Sequence, residues 1–155
     1  EIGVYEGKFS QQLISLSQPE LLLLIDAWDS QRYGPEKRRL VERKFSTEIN
    51  RGKIEIRQGY STTELKALPD NYLDWAYIDT SHTYEQTLKE LNLCKKKVKK
   101  RGIIAGHDYC QGNIRKGTQY GVIRAVHSFC RNQDYEIKYL TLETHGHRSF
   151  ALKKL

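Results

Sequence analysis

Apolar residues in this chain come in short bursts separated by longer amphipathic stretches, a pattern that predicts strands interleaved with helices. Residues 1–4 open as a strand. Residues 9–17 follow as a helix with Leu13, Ile14 and Leu16, and residues 20–26 are a second strand built on Leu21 to Ile25. Gly34 and Pro35 start a helix with Leu40, Val41, Phe45 and Ile49 on one face, and Gly52 caps it. Lys53 to Arg57 alternates as a third strand. Ser61 with Glu64 then reads as a capping box for a short helix. Leu73 to Ile78 is a buried strand ending in Asp79. Thr83 to Lys97 is helical, with Leu88, Leu91 and Val98 apolar. Gly102 to Gly106 is a further short strand ending at His107 and Asp108. Gln111 to Thr118 is polar and reads as a loop. Tyr120 to Arg131 is a helix with Val122, Ile123, Val126 and Phe129 inward. Tyr135–Leu142 and Ser149–Leu152 close the chain as strands joined by a short loop, so they should pair antiparallel. The expected fold is α/β, a doubly wound and mostly parallel sheet.

The first bend carries the most information. Gly3 and Gly7 stand four apart between a strand and a helix start, and about twenty residues later the second strand ends in Asp26. A glycine bend lets a ligand approach bare backbone, and an acid at the next strand tip is where nucleotide-binding α/β folds hold a ribose. The spacing is not that of a dinucleotide site, because bulky Tyr5 stands where a second glycine would meet a pyrophosphate. A ligand with a ribose and no pyrophosphate, such as S-adenosylmethionine, suits it better; a plain strand, turn and helix without a ligand is the other reading.

Length and composition narrow the class. The 155 residues suit one domain, 38% hydrophobic and 29% charged, without a membrane-length apolar run or a visible secretory signal. The chain has no Met and begins inside a strand, so its natural start is expected upstream of Glu1. Cys94, Cys110 and Cys130 are odd in number and widely spaced, which reads as free thiols in a reducing, cytoplasmic setting. The net charge of +7 points to acidic partners, and much of it lies in Lys95, Lys96, Lys97, Lys99, Lys100 and Arg101. That run is either a nucleic-acid patch or a solvated helix end whose cations suit the helix dipole. It lacks the interleaved aromatics of a single-strand binding surface.

Glu1, Gly3, Tyr5, Gly7 and Ser10 fit the pattern Glu-x-Gly-x-Tyr-x-Gly-x-x-Ser. With the strand order above, the chain resembles class I S-adenosylmethionine-dependent methyltransferases, and within them the small-molecule O-methyltransferases of the catechol type. The resemblance runs the length of the chain and implies a seven-stranded Rossmann-like sheet with its last strand antiparallel. It implies that Glu1, Gly3, Tyr5, Gly7 and Ser10 form the cofactor loop, with Gly3, Tyr5 and Ser10 around the methionine tail. Asp26 would take both ribose hydroxyls, Trp28 would flank the adenine, and Gly59 and Ser61 would border it. Asp79 would stand at the reaction centre beside the cofactor. His82 falls where the catechol-type enzymes place a lysine base, and His107 and Asp108 fall where relatives hold a metal.

A base titrating near neutral pH suits removal of a hydroxyl proton, which favours His82; capping of the following helix is its alternative role. Asp79 and Asp108, with His107 as a departure, would suit a divalent cation such as Mg²⁺, or a softer ion, or none. His145 and His147 read as a solvated loop or a metal pair. His127 reads as a surface residue, and Trp75 and Tyr77 as sheet packing. Tyr84 and Tyr109 would line a substrate pocket or pack. The expected acceptor is a small-molecule hydroxyl, with nucleic-acid or protein methylation and a non-catalytic binding domain as alternatives. No Asn-Pro-Pro-Tyr type signature follows Ile78. No membrane partner is expected, and a homo-oligomer stays open.

Overall fold

Strand β1 (Leu22–Asp26) is a continuous apolar run, and Leu22, Leu23, Leu24 and Ile25 are 0–7% exposed. Such a run is what a parallel strand needs when both its faces are covered. It pairs in parallel with β2 (Ile54–Gln58), in a register that sets Asp26 opposite Gln58. Ile2 makes a single parallel bridge to Ile25 on the same strand. The computed structural model describes residues 1–113, 116–143 and 146–155. They divide into two compact units, Glu1–Glu64 and Leu65–Leu155.

The first unit adds α1 (Lys8–Ser17), α2 (Pro35–Lys44) and α3 (Ser46–Asn50) to this pairing. The single helix expected after Pro35 is interrupted at Phe45, whose backbone leaves the helical region at φ −111° and ψ 22°. Its ring is 4% exposed and lies where a Cβ on Gly7 would fall, 2.8 Å from Cε2. Gly7 also has φ 68°, so only glycine suits the turn into α1. Val41 is fully buried on the predicted face, whereas Leu40 is 39% exposed. Helix α4 (Ser61–Ala67) begins one residue earlier than a Ser61 cap requires, and the Tyr60 carbonyl accepts from the Glu64 N–H at 3.0 Å.

The second unit holds β3 (Leu73–Ile78), α5 (Tyr84–Lys97), β4 (Val98–Gly106), α6 (Val122–Gln133), β7 (Tyr135–Leu140) and β8 (Phe150–Lys154). Its sheet runs β3-β4-β8-β7. The first pair is parallel, and β8 lies antiparallel to both of its neighbours, as the short final connection requires. Inside the expected loop, Gly112–Asn113 (β5) and Thr118–Gln119 (β6) form a short antiparallel ribbon. Among the described residues the strands pair in two-, four- and two-stranded groups. The α/β class and the antiparallel last strand hold. Val122, Ala125, Val126 and Phe129 of α6 are buried at helical spacing.

The basic run is partly consumed inside this unit. Lys97 is buried and donates to the Leu68 carbonyl and to Asp70, both at 2.7 Å. Lys99 pairs with Asp74 at 2.6 Å, and Lys95 hydrogen-bonds Gln133. Cys94, Cys110 and Cys130 are free, as expected, and no helix among the described residues is long and apolar enough to cross a membrane.

Candidate active site

In the first unit, the carboxyl ends of β1 and β2 and the opening bend converge on Asp26. One carboxylate oxygen, Oδ2, accepts from the backbone N–H of Val4 at 2.8 Å and of Tyr5 at 2.9 Å. The other, Oδ1, accepts from the Trp28 N–H at 3.0 Å. The Asp26 carbonyl accepts from the Gly59 N–H at 2.9 Å, which ties the end of β2 to the same point. Asp26 thus faces the glycine bend as expected, and most of the carboxylate's capacity is spent on holding that bend. Gly3 (φ 88°) and Tyr5 (φ 54°) give the bend its left-handed turns.

Two expected cofactor contacts are corrected here. Trp28 is 0% exposed, and its indole N–H donates to the Tyr5 carbonyl at 3.0 Å; it is a packing residue with no face left for an adenine. Ser10 is also 0% exposed, and its hydroxyl hydrogen-bonds the Glu1 carboxylate, so it orients Glu1 instead of touching a methionine tail. The Tyr5 ring packs edge-on against Tyr33 with centroids 5.1 Å apart. Ser61 is buried at the start of α4, beside half-buried Gly59. The adjoining Tyr60 is 65% exposed and hydrogen-bonds Asp29, a contact that raises its hydroxyl pKa. Nothing in the residue pattern singled out Tyr60 or Asp29 beyond their neighbourhood to Gly59 and Asp26.

In the second unit, three imidazoles crowd round Asp108. His82 Nε2 lies 3.1 Å from Asp108 Oδ2, and His107 Nδ1 lies 3.6 Å from the same oxygen. His147 Nδ1 hydrogen-bonds Oδ1. His107 Nδ1 is also 4.0 Å from Asp79 Oδ2. Burial alone would push the Asp108 carboxyl up, but hydrogen bonds from His107 and His147 and the His82 charge outweigh it and bring it down to about 2. The hydrogen bond to Asp108 raises His107 above its ordinary value against the opposing effect of burial. Asp79 is raised, mainly by partial desolvation and further by the Asp108 charge, with His107 pulling the other way. Burial pushes the Cys110 thiol up, with a backbone hydrogen bond at Gly112 acting against it.

Local structure fixes these groups. Asp108, two residues past the end of β4, adopts the left-handed φ of 56°. The His82 carbonyl accepts from Gly121 N at 2.6 Å, and the His82 ring lies against Tyr120 with centroids 4.4 Å apart. A Cβ on Gly121 would fall 2.2 Å from the Tyr84 backbone nitrogen, so glycine permits this approach. The capping role considered for His82 belongs to Thr83, whose hydroxyl accepts from the Gln86 N–H. Fully buried Glu90 accepts from the Thr80 hydroxyl through both of its oxygens, at 2.9 and 2.8 Å, and so anchors the residue after Asp79. Ile78, Asp79, His82 and His107 help line a cavity of about 10 Å³, enough for one water.

The metal set expected was Asp79, Asp108 and His107. Among the described residues, the groups whose ligand atoms all lie within 4.8 Å are Asp79, His82 and Asp108, and Asp108, Cys110 and His147. His147, which reads from the sequence as a solvated loop or half of a metal pair, joins the cluster; His145 lies outside the described residues. Tyr84 packs on α6 through Ser128 and Arg124. Tyr109 hydrogen-bonds His127, which is exposed as expected. Tyr77 is buried in the sheet and its hydroxyl meets Ser149 at 2.9 Å.

Residues 1–109 match the family described as a methyltransferase domain. The chain belongs to that family. The matched span of the methyltransferase domain takes in the glycine bend, Asp26, Asp79, His82, His107 and Asp108, and leaves out Cys110 and His147. Among curated proteins none matches the sequence. Solved structures with this fold include cofactor-bound Rv0187 from MTB, at 14% identity and a TM-score of 0.74, covering 97% of this chain and 69% of that one. A SAM-dependent methyltransferase from Methanosarcina mazei aligns at 15% identity with a TM-score of 0.70, over 99% of this chain and 90% of its own. An O-methyltransferase family protein from Burkholderia thailandensis aligns at 8% identity and a TM-score of 0.71, over 99% of this methyltransferase domain and 49% of that protein. At such identities the likeness speaks to fold alone.

Proposed function

We propose that the chain transfers a methyl group from S-adenosylmethionine to a hydroxyl of a small molecule, in the manner of the catechol-type O-methyltransferases. Membership of the methyltransferase domain family supports the transfer. The observation that carries the hydroxyl acceptor is His82: an imidazole in the loop after β3, relieved of capping by Thr83 and held by Asp108 at 3.1 Å.

The first unit has residues that fit the cofactor. Gly3 and Gly7 give an opening bend, Asp26 stands at its edge, and Gly59 and exposed Tyr60 adjoin Asp26 through the Gly59 hydrogen bond. When bound, the cofactor supplies an electrophilic methyl on a sulfonium. The protein's own tasks are to position an acceptor oxygen and to accept its proton. Asp108, kept ionised by its imidazole neighbours, orients His82 and stabilises the imidazolium that forms when the proton arrives. Asp79 contributes a carboxylate beside the same cavity.

The donor set around Asp79 and Asp108 does not suit Mg²⁺, which prefers an all-oxygen shell; three imidazoles crowd the carboxylates instead. No step is routed through that ion. Nucleic-acid methylation has one observation on its side, an open groove lined by Lys100, Arg101, Lys153 and Lys154. These cations sit at the start of β4 and the end of β8, and Asp108 follows the opposite end of β4.

His82→Gln decides the role of the base. Turnover with a panel of hydroxylated acceptors is expected to fall about 10²–10⁴-fold while S-adenosylhomocysteine binding persists. Unchanged turnover would remove His82 as the base, and a folded chain that fails to bind the nucleoside would end the methyl-transfer reading. RNA affinity that falls steeply with added salt would favour the second reading.

A further inference from the structure

Cys110 takes no part in the proton chemistry proposed above, yet the fold holds it over the same carboxylate. The turn after β4 closes with the Cys110 N–H donating to the Asp108 carbonyl at 2.7 Å, which folds the thiol back toward Asp108. His147 arrives from the connection between β7 and β8, and that segment is pinned at several points. The Tyr109 N–H donates to the Arg148 carbonyl at 2.9 Å, the Ser149 N–H donates to the Thr141 hydroxyl at 2.7 Å, and Tyr77 meets the Ser149 hydroxyl at 2.9 Å. An Asp108 carboxylate oxygen, Cys110 Sγ and His147 Nδ1 consequently all lie within 4.8 Å of one another.

We propose that Asp108, Cys110 and His147 form a three-ligand site for a divalent ion of the zinc class, with a fourth position left to water. The sulfur–nitrogen separation suits it, and Asp108 Oδ1, hydrogen-bonded to His147 Nδ1 in the metal-free protein, gives up that contact when both atoms turn to the ion. Zinc bonds of ordinary length in a tetrahedron put a sulfur and an imidazole nitrogen about 3.5 Å apart, and Cys110 Sγ lies 3.8 Å from His147 Nδ1. A sulfur, an imidazole nitrogen and a carboxylate oxygen select Zn²⁺ or Co²⁺ over Mg²⁺. Binding forms the metal–sulfur bond as the thiol proton passes to solvent, with no change of oxidation state. Only Asp108 is shared with the expected metal set, and Cys110 and His147 lie outside residues 1–109 that match the family. The site stands on the second unit's geometry and does not rest on the methyl-transfer reading.

The test uses chelator-stripped protein titrated with Co²⁺. One equivalent is expected to give a thiolate-to-cobalt charge-transfer band, displaced by Zn²⁺ and untouched by millimolar Mg²⁺. Cys110→Ser should abolish the band, and His147→Ala should weaken binding at least ~10-fold. Because a variant can misfold, the intact protein supplies a second readout: Zn²⁺, and not Mg²⁺, should protect Cys110 from alkylation, with fully buried Cys94 as an internal reference. A folded protein that shows no band, a band that survives in Cys110→Ser, or alkylation indifferent to Zn²⁺ would each overturn the proposal.

Discussion

Asp26, the last residue of β1, and Asp108, just past the end of β4, both gather several donors, yet the donors differ in kind. Asp26 collects backbone N–H groups from Val4, Tyr5 and Trp28. Asp108 collects imidazole rings from His82, His107 and His147. Backbone donors cannot leave without unmaking the chain path, so the first carboxylate is a fastener for the bend it faces. Imidazoles can rotate, lose a proton or take a metal, so the second is a hub for chemistry. Position at a strand end therefore marks where a carboxylate sits; its partners say what it does.

The strongest break of this comparison is Asp26→Ala. It leaves the N–H groups of Val4 and Tyr5 in the opening bend, and of Trp28 just after β1, without their acceptor, and the fold is expected to lose about 4 kcal/mol. Thermal or urea unfolding checks this. A loss below about 1 kcal/mol would show that the bend holds itself.

Acid titration of the metal-free protein probes the other carboxylate. Asp108 is lowered from 3.8 to about 2 in the folded protein, so its contribution is present above 3.8 and is lost as pH falls toward 2. Linkage puts that loss at about 2 kcal/mol. His107 is raised, so its contribution is present below the ordinary 6.5 and is lost as pH rises through the higher folded value. The two describe one shared contact and are not summed. Unfolding free energies measured across pH should fall on the acid side in the native protein and stay flatter in Asp108→Asn.

Thr83→Ala gives the smallest effect and separates cap from base. Removing the hydroxyl that accepts from Gln86 should cost about 1 kcal/mol or less, with the proton-transfer role of His82 intact. A fall in turnover as large as that of His82→Gln would mean that the helix end, and not the imidazole, governs the chemistry.

Most of the fold was legible because it is written locally. The apolar run of β1, the buried face of α6 and the short final connection each follow from neighbouring residues. The break at Phe45 was not legible, because its ring packs at Gly7, far back in the sequence. The site was legible to the same degree. Asp26 facing the bend followed from a strand end, whereas His82 was expected beside Asp79 and its contact with Asp108 appears only in the fold. Trp28 and Ser10 carry residue types that suit a ligand, and only their complete burial shows that they pack. His147 belongs to the cluster through a contact spanning 39 residues, which no local pattern announces.

The central claim is that the bend fastened by Asp26 receives the nucleoside of a methyl donor. Amide resonances of ¹⁵N-labelled protein titrated with S-adenosylhomocysteine test it most directly. The account predicts saturable shifts at Gly3, Tyr5, Gly7, Gly59 and Tyr60; a folded protein in which those amides stay still at saturating nucleoside would contradict it.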